Sequence, residues 1–158
     1  MNATQNKYYF QALDNYPFNM GETIEALTYA LSYDKNEDCL CLLARIYSEI
    51  LNDYETAKEY FEEAITVNIQ SLNLYPYYID CLLWNEDYKE AKRLIDFALT
   101  IKGIDKAVLL NKKSILLEYQ KKYKKALKVI DNARLYTFNN NFMTYLDSRE
   151  KQIKRKKK

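Results

Sequence analysis

The side chains able to do chemistry are three cysteines, plentiful carboxylates, sixteen tyrosines, one tryptophan and a lysine-rich end; there is no histidine. Without an imidazole, Ser–His–Asp and Cys–His nucleophile activation, two-histidine zinc chemistry and histidine proton shuttles are excluded. Cys39 and Cys41 stand one residue apart and Cys81 stands alone. That spacing, with no histidine to complete it, makes a poor zinc site, and the thiols read as packed side chains in a reducing compartment. Two glycines in the whole chain leave no loop to cradle a phosphate. No carboxylate pair stands out from a helical surface pattern, and no nucleophile elbow appears. The chain is therefore expected to be non-catalytic, with no metal and no cofactor. What remains is recognition chemistry. Lys121, Lys122, Lys124 and Lys125, with Lys154, Arg155 and Lys156 in the tail, form a basic patch able to neutralise phosphates.

The elements that must position these residues recur along the chain. Tyr54, Ala57, Phe61 and Ala64 repeat as Tyr88, Ala91, Ile95 and Ala98, and again as Tyr123, Ala126, Ile130 and Ala133. The period is 34 residues and then 35. Spacings of three, four and three mark one face of a 3.6-period helix. Small alanines there let a neighbouring helix approach closely, and the bulky residue between them fills the groove. A polar turn precedes each Tyr: Asn52-Asp53, Glu86-Asp87 and Lys121-Lys122. A second helical pattern precedes each turn, running through Leu40, Leu43, Ala44 and Tyr47, then Tyr75, Tyr78, Ile79 and Leu82, then Leu110, Ser114 and Leu117. The second copy has one extra residue before its turn. A weaker first copy ends near Ala30, and Tyr16-Pro17-Phe18-Asn19 breaks its helices apart. With only two Gly and two Pro, an all-β sandwich or barrel is disfavoured.

These residues resemble the tetratricopeptide repeat family, whose units of 34 residues are helix–turn–helix hairpins. Ala44, Tyr47, Asp53, Tyr54, Ala57, Phe61 and Ala64 carry the resemblance in the second copy. The usual early Trp is replaced by Leu40, Tyr75 and Leu110, and the usual closing Pro is missing. The resemblance implies an all-α, right-handed superhelical solenoid in a single domain over residues 1–158. Four hairpins are expected at about 5–34, 38–68, 72–102 and 106–137, with a capping helix at about 139–156. On that cap Phe142, Tyr145, Leu146 and Ile153 are expected to face inward, and Arg149, Lys151, Lys154 and Arg155 to stay wet.

The family is chiefly one of protein-interaction scaffolds. Its concave groove, carried onto this chain, is lined by Arg45, Glu49, Asp80, Leu83, Trp84, Asn111, Ile115 and Tyr119, with Cys41, Ser48 and Glu118 on the same flanks. Trp84 and Tyr119 suit hot-spot anchoring, and Arg45 suits a partner carboxylate. The family's carboxylate-clamp positions read Cys41 with Arg45, Pro76 with Asp80, and Asn111 with Ile115; only Asn111 fits, so a chaperone-tail adaptor is not supported. The resemblance thus implies an adaptor for another protein or peptide. The alternative is non-specific binding of nucleic acid or another polyanion through the basic end.

Charge polarity adds a further expectation. Residues 1–104 hold 8 Lys/Arg against 17 Asp/Glu, and residues 105–158 hold 16 against 5. Acidic and basic poles of two copies could meet head to tail. No apolar run is long enough to span a membrane, and the polar start lacks a signal core, so the chain is expected to be cytoplasmic.

Overall fold

The computed structural model describes residues 2–158. The chain is all-α, with nine α-helices among the described residues: α1 Ala3–Asn15, α2 Met20–Tyr33, α3 Glu37–Arg45, α4 Tyr54–Val67, α5 Leu74–Trp84, α6 Tyr88–Ala98, α7 Lys106–Tyr119, α8 Tyr123–Arg134 and α9 Asn140–Lys157. None is long and apolar enough to cross a membrane. The helices pack sequentially: α1 on α2, α2 on α3, α3 on α4, α6 on α7, α7 on α8 and α8 on α9. The chain divides into two compact units, Met1–Cys81 and Leu82–Lys158.

Local chemistry sets the helix boundaries. Asn2, Asn19, Asn36, Asp53, Asp105 and Asn139 each cap a helix start, their side-chain oxygens accepting a backbone N–H from the first turn. Pro76 lies in the first turn of α5, where a missing N–H costs little. The polar turns are built alike. Asn52, Glu86 and Lys121 all adopt positive φ, at 54°, 61° and 58°. The Asp87 N–H donates to Leu82 O and the Lys122 N–H to Leu117 O, with Glu86 and Lys121 bonding to Leu83 O and Glu118 O. This is the paired-bond arrangement of a left-handed helix C-terminus.

The second copy departs from this by one residue. Eight residues separate buried Ala44 from Asn52, against seven from Ile79 to Glu86 and seven from Ser114 to Lys121. The chain absorbs the extra residue in a π-helical turn, Ile46–Ile50, which continues α3. Its closing bond, from Asp53 N–H to Tyr47 O, spans one residue more than the two equivalent bonds.

The first unit has a core of Ala12, Ala26, Leu27, Ala30, Leu42, Leu43 and Ile46. Tyr75 is fully buried, its hydroxyl donating to Ile69 O at 2.5 Å, and Tyr78 stacks on Phe61 at 4.9 Å. In the second unit, Leu110, Ala126, Ile130 and Ala133 pack with Leu146 and Ile153 of α9. All six repeat alanines, and the Phe61, Ile95 and Ile130 between them, are fully buried.

Helix α9 corrects the expected wet face. Arg149 is buried, because it stands between Leu146 and Ile153 on the helix face that packs inward. Tyr145 is instead half-exposed and stacks on Phe142 at 5.9 Å.

Candidate functional site

In the first unit, Arg45 ends α3 and Glu49 lies one turn further on. The Arg45 Nε donates to Glu49 Oε1 at 3.0 Å and Nη2 donates to Oε2 at 3.4 Å. Its guanidinium lies 3.9 Å from the Tyr77 ring centroid and 5.9 Å from that of Tyr16. The Tyr16 hydroxyl reaches Glu49 Oε2 at 3.5 Å. Arg45 is thus already paired and stacked, and an incoming carboxylate must compete with Glu49. Ser48 is buried and donates to Arg45 O at 3.3 Å. Asp80 is half-buried and partnered. Burial pushes the Cys39 thiol up to about 11 and the Cys41 thiol up to about 12, so both are protonated at neutral pH.

In the second unit, Trp84 is 45% exposed and Tyr119 is 47% exposed. Each ends its helix two residues before a positive-φ turn residue. Ile50, 38% exposed, holds the same register before Asn52. Tyr119 lies 6.1 Å from the Tyr88 ring centroid, and Ile115 is half-buried. Leu83 and Asn111 are buried.

Glu118 was expected on the same exposed flank as Tyr119, and it is buried too, because it lies one turn beyond buried Ser114. Only 4% of its side-chain surface is exposed. Arg149 Nη1 donates to Glu118 Oε2 at 2.5 Å, and Lys156 Nζ donates to Oε1 at 2.6 Å. Arg149 Nη2 also reaches Ser114 Oγ at 3.4 Å. Burial raises the Glu118 carboxyl, but the hydrogen bonds from Lys156 and Arg149 outweigh it and hold the group below the usual carboxylate range. A second cluster ties α9 to α8: Arg134 donates to Asp147 at 2.9 Å and to Glu150 at 2.5 Å. Lys154 pairs with Glu150 as well. Lys154 and Lys156, read as free patch residues, are therefore committed to ion pairs within the unit.

Lys121, Lys122, Lys124 and Lys125 remain exposed around the start of α8, and Arg155 is exposed on α9. No acidic residue lies in the first turn of α8 to balance them. A cavity of about 410 Å³ opens between α6, α7 and α8, and a neighbouring hollow of about 380 Å³ shares Lys122 and Lys125 with it. The half-exposed Trp84 and Tyr119 and the exposed lysines around α8 are two surface features of different chemistry, one aromatic and one cationic. No family model matches the chain, and neither does any of the curated proteins.

Proposed function

We propose that the chain is a tetratricopeptide-like adaptor, a right-handed solenoid of four hairpins closed by α9. It binds another protein or peptide and performs no reaction on it. The observation that carries this reading is the shared register of exposed apolar residues. Ile50, Trp84 and Tyr119 each stand two residues before a positive-φ turn, at the end of a first helix. Packing inside a hairpin does not require a Trp and a Tyr left half-exposed at equivalent positions. Such side chains are the usual anchors of protein interfaces. The recurring buried alanines support the same reading, since they set one face of each second helix against a neighbour.

Affinity capture from the source cells, read by mass spectrometry, tests it. The wild-type chain is expected to retain a partner that Trp84→Ala loses. Retention of the same partner by both proteins would remove Trp84 from the interface. The second reading is polyanion binding, favoured by the exposed lysines at the start of α8. It predicts binding that collapses between roughly 50 and 200 mM salt, which a groove-bound peptide does not show.

A further inference from the structure

The cavity between α6, α7 and α8 is built from residues outside the groove reading. Its rim carries Lys92, Lys113, Lys122, Lys125 and Lys128. Its floor is aliphatic, formed by Leu116, Leu117 and Val129. Asp96 holds two of the lysines, Lys92 at 2.6 Å and Lys113 at 2.8 Å. Burial raises the Asp96 carboxyl, but the bonds from Lys113 and Lys92 outweigh it and keep the group ionised. Lys122 donates only to the neutral Gln120, at 2.7 Å. Lys125 and Lys128 make no ion pair among the described residues. The rim is therefore strongly positive after its one carboxylate is counted. The neighbouring hollow extends the same field through Lys121, Lys124 and Lys157.

We propose that this cavity docks an acidic segment of a partner protein that carries a bulky apolar side chain among its carboxylates. Charge complementarity selects the sign of the ligand and speeds its encounter. The aliphatic floor selects the class. An apolar side chain placed on Leu116, Leu117 and Val129 leaves water while flanking carboxylates meet the lysines. A phosphate backbone has nothing to bury on such a floor. None of the side chains lining the cavity is aromatic, and Tyr123 of the neighbouring hollow packs against the unit's core, so no base finds a stacking platform within the cavity.

Fluorescence anisotropy with the full chain tests this. The probes are a labelled glutamate-rich peptide bearing leucines, the same peptide with serine for leucine, and a single-stranded oligonucleotide of equal charge. The leucine peptide is expected to bind at least about tenfold tighter than the serine peptide, the worth of one buried aliphatic side chain. Lys125→Glu with Lys128→Glu should weaken it about tenfold or more, whereas Trp84→Ala should leave it within about twofold. Should the double reversal lower the melting temperature, Lys125→Gln with Lys128→Gln is read in its place. Equal affinity for the two peptides, tighter binding of the oligonucleotide, no peptide binding, or indifference to the lysine variants would each overturn the proposal. So would self-association that the lysine variants abolish without any peptide binding, which would give the cavity to a second copy. None of these outcomes bears on the Trp84 surface, which is tested with its own captured partner.

Discussion

The Glu118 carboxylate, with 4% of its side-chain surface exposed, answers two cations brought from α9. Removing it leaves the Arg149 guanidinium buried beside Ser114 with no counter-charge. Breaking a buried pair from one side costs about 3–5 kcal/mol. Glu118→Gln should therefore lower unfolding free energy by about that amount at neutral pH, read by urea denaturation. The sign of the pH dependence follows from the depressed carboxyl. Its contribution is complete above the unfolded carboxylate value of about 4.3 and is lost as pH falls through the lower folded value. In Glu118→Gln that part of the acid loss should vanish, so its stability should fall less steeply with pH than wild type. Arg149 was expected on the wet face, yet the signal for its burial was present in the spacing. Phe142, Leu146, Arg149 and Ile153 follow spacings of four, three and four, which is the buried stripe itself. Its partner was not legible, since Glu118 lies 31 residues away and no local pattern joins them.

At the scale of the element, the hairpin turns carry the period most openly. Glu86 and Lys121 sit at positive φ although each has a Cβ that disfavours it. Glu86→Gly and Lys121→Gly should each raise stability by about 0.5–1 kcal/mol, because glycine adopts that conformation without the steric cost. Asn52→Gly should change little, since asparagine already tolerates the left-handed region. Thermal melts of the three variants check this ordering. The π-helical turn supplies a second test. Deleting Ile50 restores the seven-residue spacing and moves Leu51 into its register, so the turn should become α-helical. Stability should stay within about 1 kcal/mol of wild type. Deletion leaves Leu51 four residues after Ile46, so its N–H should bond to Ile46 O as in an α-helix; amide assignments that place it on Arg45 O would keep the π-turn and contradict this. Helix existence and turn placement were readable from the alanine spacing and from the polar pairs before Tyr54, Tyr88 and Tyr123. The π-turn was visible only as one surplus residue, because a count shows an insertion but not how the backbone absorbs it.

Across the whole molecule, charge and packing have separate jobs. The unit Met1–Cys81 holds 4 Lys/Arg against 13 Asp/Glu, and Leu82–Lys158 holds 20 against 9. Such polarity steers partners and does not set the fold. The fold rests on the buried alanines. Ala64→Glu in the first unit and Ala98→Glu in the second each force an unpaired carboxylate into a fully buried position. Each should cost more than about 4 kcal/mol and abolish cooperative helical melting by circular dichroism. The candidate site was legible in part. Trp84 and Tyr119 are exposed at the positions the repeat assigns them, whereas Leu83 and Asn111 in the same assignment are buried. Of the cavity lysines, Lys122 and Lys125 were read in the basic patch, whereas Lys92 and Lys113 escaped because they come from other helices and no local pattern joins them.

The affinity of the captured partner, purified, for wild type and for Trp84→Ala with Tyr119→Ala tests the adaptor reading most directly. Titration calorimetry should show the double variant weakened by about a hundredfold or more, both proteins remaining folded. Equal affinities, or chemical change in the partner on mixing, would contradict a non-catalytic surface anchored on these two side chains.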